Sequence, residues 1–223
     1  MTAYTPFQWP TLYTREIGPH DDLQSYQQIF HQWDKICDEK LAQVPCNSIF
    51  CRGKARTIFD TLWAIQHFMP HARKTFTPAE IQQHKCYAVF DGKGKMQGLG
   101  ILKEKADAIF IDTLTTSPEN IALSSSDKKV SGVGRLLMKR IVHDLIQKKT
   151  KKPIHLVPTK ISISFYKKLG FQGDPMKECL FVTADTFQEL YDRSSNKLPP
   201  SPPAKVTLSK LILLWYNLWN TFW

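Results

Sequence analysis

The chain has 223 residues, of which 42% are hydrophobic and 22% charged; that balance calls for a packed core and excludes wholesale disorder. A formal charge of +10 and a pI near 9.4 favour polyanionic partners, whether nucleic acid, an anionic membrane surface or a phosphate-rich cofactor, without choosing among them. No uninterrupted apolar segment reaches the ~20 residues needed to span a bilayer, and the N-terminus lacks the basic start and apolar run of a secretory signal.

Residues 1–20 read as irregular apart from one short strand, "LYTREI". From residue 21 to 41, Leu23, Tyr26, Ile29, Phe30, Trp33, Ile36 and Cys37 recur at threes and fours, the period of an amphipathic helix. "VPCNSIFCRGKAR" breaks it, "TIFDTLWAIQHF" reads as a second helix ending before Pro70, and a third short helix is expected after Thr77. The period then becomes strand-like. "CYAVFD", the turn "GKGK" and "MQGLGILKE" form a hairpin, and "ADAIFIDTLTT" is a further strand ending at Ser117-Pro118. Residues 119–131 are polar and serine-rich, hence a loop. A helix to about residue 149, the strand "PIHLVP", the helix "TKISISFYKKLG" closed by Gly170, and the strand "ECLFVTA" complete the body. Helices first, then a hairpin, then strand–helix alternation give a mixed α/β sheet. "SSNKLPPSPPAK" is a proline-rich linker before "LSKLILLWYNLWNTFW". The expected division is a domain over 1–192, a linker over 193–206 and a tail helix over 207–223.

The stretch "KKVSGVGRLLMKRIVHDLI" carries the sharpest question. Gly132 and Gly134 run into a helix start, where unpaired backbone N–H groups and the helix dipole suit a phosphate, and Lys128, Lys129 and Arg135 add positive charge. A tight turn or close packing against a neighbouring strand would produce the same two glycines. Neither the dinucleotide fingerprint nor the P-loop is met: Leu137 stands where a third glycine belongs, and no Gly-Lys-Ser/Thr follows.

Three separated features, in order, resemble the GNAT superfamily of acyl-CoA-dependent N-acetyltransferases over about residues 10–185. They are the hairpin "YAVFDGKGKMQGLGIL" with Gly98 and Gly100, the loop Lys129-Val130-Ser131-Gly132-Val133-Gly134, and Tyr166-Lys167-Lys168-Leu169-Gly170-Phe171. The chain departs from the family pattern in Lys129 for the usual Gln or Arg, in a longer loop before it, and in Thr159 where an Asn is common.

The resemblance implies a GNAT-like, mostly antiparallel central sheet flanked by helices, and acetyl transfer from acetyl-CoA to an amine. Leu114, Thr115 and Thr116 would pair with the pantetheine arm. Lys129, Val130, Ser131, Gly132, Val133, Gly134 and Arg135 would wrap the pyrophosphate, with Thr159 beside them. Tyr166 would be the proton donor to the departing thiolate. For the base, Asp112 is the first candidate, with His155 and His84 as alternatives and a water chain as another route. A non-catalytic acyl-CoA-binding or scaffold module is the alternative function.

Cys37, Cys46, Cys51, Cys86 and Cys179 are odd in number and show no zinc spacing, so reduced thiols, a cytoplasmic setting and no metal are expected. The lysines of "QKKTKKP" and Lys167-Lys168 read as solvated helix ends, and nucleic acid is not an expected partner. In the tail, Leu208, Leu211, Ile212, Trp215, Leu218, Trp219 and Phe222 share one face. That face suits either peripheral attachment at an anionic membrane surface or docking onto a protein.

Overall fold

The protein is described here as a computed structural model covering residues 12–44, 53–123, 130–174 and 179–195. The expected linker beyond residue 195, the tail, Lys128, Lys129, Cys46 and Cys51 lie outside the described residues.

The six β-rich runs form one sheet in which spatial order equals chain order: β1 (Tyr13–Ile17), β2 (His84–Phe90), β3 (Met96–Glu104), β4 (Ile109–Thr116), β5 (Ile154–Leu156) and β6 (Leu180–Val182). Every neighbouring pair is antiparallel except β4 and β5, which run parallel. A parallel pair needs a crossover, and helix α3 (Val133–Gln147) supplies it. Before β2 come α1 (Leu23–Gln43) and α2 (Gly53–Thr75); α4 (Ile163–Leu169) lies between β5 and β6, and α5 (Phe187–Ser195) follows β6. This is the mixed, mostly antiparallel sheet with flanking helices that the resemblance implied.

Alternation along the strands divides the core into two layers. Cys86, Ala88, Leu99 and Ile101 face α1 and α2, where Leu23, Tyr26, Phe30, Trp33 and Cys37 form the stripe read from the sequence. Tyr87, Val89, Leu102, Ile109 and Ile111 face the other way, onto Leu137, Met138, Ile141 and Val142 of α3. Each such aliphatic or aromatic side chain contributes roughly 1.5–3 kcal/mol when fully buried.

Three local expectations are corrected. Helix α2 starts at Gly53 and continues through Pro70 to Thr75. Pro70 forfeits one backbone hydrogen bond, but Ile65, Met69 and Ala72 lie on one buried stripe across it, and their burial outweighs the break. The helix expected after Thr77 is only a 3-10 turn, Ile81–Gln83, because His84 already takes extended backbone and pairs with Lys103 of β3. Helix α5 has no counterpart in the sequence reading. It is only nine residues long, and its pairing with α3 is a tertiary property.

Candidate active site

The parallel pairing of β4 with β5 covers only Ile109–Ile111 against Ile154–Leu156. At the next residue the strand is bulged: Ile111 faces Leu102 and Thr113 faces Ile101, so Asp112 has no partner in β3. A bulge adds one residue to one strand and bends it. Beyond it β4 runs on to Thr116, paired with β3 alone, while β5 has ended at Leu156. One edge of β4 is therefore open. Beside that edge lies a cavity of about 150 Å³ whose walls are residues 111–116, the end of β5, α2 through Thr61 and Phe68, and α4 through Tyr166.

The two glycines at the α3 start have different causes. Gly132 is the N-cap residue with φ 83°, a left-handed conformation that favours glycine, and no side chain caps the helix there. At Gly134 a Cβ would stand 3.3 Å from Cζ of Phe165 and 3.6 Å from Cδ2 of Leu114, so what approaches this backbone is α4 and β4. Gly98 of β3 has the same function from below, since a Cβ there would lie 2.3 Å from Cγ1 of Val133. Neighbouring elements thus account for Gly98 and Gly134 and the left-handed turn for Gly132, and together they seat the first turn of α3 beside the cavity-lining Leu114.

That turn keeps free donors. The Leu136 N–H donates to the Gly132 carbonyl at 2.9 Å, while the amides of Gly132, Val133, Gly134 and Arg135 have no acceptor among the described residues. The Val130 amide is engaged, donating to Oδ1 of Asn120 at 3.1 Å. The Arg135 guanidinium is also engaged, with Nη1 donating to the Arg193 carbonyl of α5 at 2.9 Å. Sequence reasoning missed Asn120. Its Nδ2 donates to Oε1 of Gln97 and to Oγ1 of Thr116, each at 3.1 Å, so one side chain joins the Val130 amide to the sheet. No motif announces such a role, because its partners are remote in sequence.

Within the cavity the Tyr166 ring stands edge-on to Phe165 and Phe171, with centroids 5.0 and 5.5 Å away. It is 5% exposed, and burial pushes its phenol well above the ordinary tyrosine range. Among the described residues nothing hydrogen-bonds its hydroxyl. Thr113 lines the cavity with a fully buried Oγ1 that has no partner among the described residues. Leu114, Thr115, Thr116 and Thr159 line it too. The Thr159 hydroxyl donates to Ser162 Oγ at 3.0 Å within the turn entering α4, and the Thr116 hydroxyl donates to the Gln97 carbonyl at 3.1 Å. Ser131 is exposed at the α3 entrance.

Of the base candidates, Asp112 lines the cavity and lies 3.9 Å from Nε2 of His84. His155 is elsewhere, stacked on Phe181 at 5.9 Å with Nδ1 3.5 Å from Cys179 Sγ. Among the described residues, no group of His, Cys, Asp or Glu could hold a metal ion, and no helix is long and apolar enough to cross a membrane.

No family model and no curated protein matches the sequence. Solved structures do resemble it in chain course. AtaTR bound with acetyl-CoA is 12% identical, with 81% of this chain aligned to 98% of that one and a TM-score of 0.48. The PaiA N-acetyltransferase of Thermoplasma acidophilum in complex with coenzyme A is 14% identical over 76% and 96% of the two chains, with a TM-score of 0.45. The spermidine N-acetyltransferase SpeG of Vibrio cholerae is 12% identical over 79% and 96%, also at 0.45.

Proposed function

We propose that this protein is a GNAT-type acyltransferase that moves an acetyl group from acetyl-CoA to an amine. The carrying observation is a coincidence of place: an open β4 edge and a buried phenol line one cavity, and a helix start whose amides have no acceptor among the described residues packs against Leu114 of that lining, in a chain bearing the three motifs quoted above. The donor set fits the ligand. Amides at Gly132, Val133, Gly134 and Arg135 suit a diphosphate, and the unpaired backbone of β4 suits the amide-rich pantetheine arm. The orphaned Thr113 hydroxyl supplies one more polar partner inside the cavity.

Acetyl-CoA, when bound, supplies an acetyl group on sulfur that an amine nitrogen can take, leaving a thiol. The chain's own residues bind, orient and handle protons. The α3 amides would hold the negative charge, and the Arg135 guanidinium is committed to the Arg193 carbonyl of α5. Residues 113–116, which line the cavity together with Tyr166, would hold the arm along β4. Burial keeps the Tyr166 phenol neutral, so it carries a proton at any physiological pH. A thiol ionises near ~8.5 and a phenol near ~10, so Tyr166 serves chiefly as a hydrogen-bond donor to the departing sulfur, completing the transfer as charge develops there.

Tyr166→Phe should lower kcat by about 10²-fold or more while leaving the dissociation constant for coenzyme A unchanged, because the ring packing stays and only the donor is lost. Calorimetry with coenzyme A and thiol release with an amine panel test both halves. Undiminished turnover in Tyr166→Phe would remove that residue from the chemistry. Coenzyme A binding without thiol release by the unaltered protein, whatever the amine, would favour the non-catalytic acyl-CoA-binding alternative.

A further inference from the structure

One end of the sheet gathers lysines from separate stretches of chain. Lys85 stands second in β2, and the register sets it opposite Leu102, beside Lys103 and Lys105 at the close of β3. The turn from α3 into β5 carries Lys148, Lys149, Lys151 and Lys152 to the same end, because Ile154 of β5 pairs with Ile109, the first residue of β4. Lys152 joins the stretches: its Nζ donates to Oε1 of Glu104 at 2.8 Å and to the Lys105 carbonyl at 2.9 Å. Nζ of Lys85 donates to Oε2 of Glu104 at 3.2 Å. The bonds from Lys152 and Lys85 hold the Glu104 carboxyl below the usual range, so it is charged and already engaged. The turn itself is fixed, with Lys149 left-handed at φ 50° and the Thr150 N–H donating to the Leu145 carbonyl at 3.1 Å.

Residues 148–152 alone read as a solvated helix end; the fold adds the lysines of β2 and β3 to them. Across these stretches seven lysines meet two acids, Glu104 and Asp107. That excess of five is half of the chain's net charge of +10. Lys103, Lys105, Lys148, Lys149 and Lys151 are exposed. Like charges held this close repel one another, and a negative surface relieves the repulsion.

Two features decide which negative surface fits. No arginine stands in these stretches, so the planar fork that suits nucleic-acid phosphates is missing. Nor do the described residues offer a stacking face there. Lys105 covers the Phe110 ring, with Nζ 4.2 Å from its centroid. The exposed Tyr13 lies opposite Phe90 at the far end of β2, exposed Val157 follows the end of β5, and exposed Trp63 sits on α2 between cavity-lining Thr61 and Ala64. What remains is a diffuse field of ammonium groups, which anionic lipid attracts.

We propose that this lysine end is an electrostatic docking surface for an anionic lipid bilayer. The lysines gather near Ile109, whereas the open edge of β4 runs over residues 113–116, about 13–23 Å further along the strand at ~3.3 Å per residue. Docking therefore leaves the cavity clear. Charge alone attaches weakly, and stable attachment takes a second signal, which the aromatic face expected over 207–223 would supply.

The test uses the full chain and sucrose-loaded vesicles of phosphatidylserine and phosphatidylcholine at about 1:2, in about 0.1 M salt. The side chains of Lys103, Lys148 and Lys151 make no hydrogen bond or ion pair among the described residues. Lys103→Gln, Lys148→Gln and Lys151→Gln combined should therefore leave the melting temperature unchanged. At about fivefold per lysine, the vesicle partition coefficient should fall about 10²-fold. Lys54→Gln, Lys93→Gln and Lys160→Gln remove the same charge at the other end and should cost less than about threefold, since salt screens charges beyond ~10 Å. Equal losses in the two triple variants would mean that net charge alone matters, and no loss in the first would put the attachment elsewhere. Undiminished pelleting with pure phosphatidylcholine would mean that charge does not hold the protein. Each of these overturns the proposal. So does a full chain that ignores anionic vesicles; if it binds a single-stranded oligonucleotide instead, and the first triple variant weakens that binding, the surface belongs to nucleic acid.

Discussion

Thr113 shows how one atom can separate ligand binding from stability. Its Oγ1 is buried without a partner, a state that costs about 1–3 kcal/mol of desolvation. Thr113→Val has nearly the same shape, so the free protein should gain roughly 1 kcal/mol and melt about 2–4 °C higher. Coenzyme A should bind the variant more weakly by calorimetry. Stabilisation with unchanged affinity would mean that Thr113 does not meet the ligand. At this scale the sequence was uneven. Tyr166 was legible because Tyr-x-x-x-Gly-Phe is a local pattern whose Gly170 sits in the left-handed conformation at φ 104°. Asn120 and His71 were not, since their partners lie at Val130 and at Asp112. His71 was further hidden behind Pro70, which reads locally as a helix stop.

Elements meet at the first turn of α3, and the glycines decide how closely. Gly132→Val would strain a backbone at φ 83° with or without a ligand, so it cannot isolate diphosphate binding. Gly98→Ala tests the seating of the turn instead. The new Cβ would stand 2.3 Å from Val133 Cγ1 and 2.9 Å from the Thr115 carbonyl, lifting α3 off the sheet. Such overpacking costs typically 1–3 kcal/mol. Stability and coenzyme A affinity should fall together, and Val133→Ala in the same chain should recover part of both. Recovery would be incomplete because the Thr115 carbonyl belongs to the backbone. The strands and the long helices were legible from period alone. The bulge at Asp112, which opens the cleft, was not: it exists only as a register between β3 and β4, and a single strand's sequence carries no register.

Across the molecule, buried thiols and phenols set the alkaline limit. Burial pushes Cys37 and Cys86 up to about 12 and raises Tyr26, Tyr87 and Tyr166 as well. A folded-state pKa above the unfolded one means that the native protein resists losing the proton. The contribution is whole below about pH 9, where an unfolded thiol begins to ionise, and is lost as pH rises towards 12. The melting temperature should thus be insensitive to these groups from pH 6 to 8 and fall between pH 9 and 12; a flat profile over the upper range would contradict the burial described. The tail over 207–223 lies outside the described residues, and its aromatic face carries a separate prediction. Deleting residues 205–223 should abolish sedimentation with anionic liposomes and leave acetyl transfer intact. Pelleting that persists without the tail, or that the full chain never shows, would favour docking on a protein surface. The most direct measurement of the central claim is a crystal structure of the full chain with coenzyme A. The account predicts the diphosphate on the amides of Gly132, Val133, Gly134 and Arg135, the arm along the open edge of β4, and the sulfur beside the Tyr166 hydroxyl. A ligand bound elsewhere, or a cleft that stays empty at saturating coenzyme A, would contradict it.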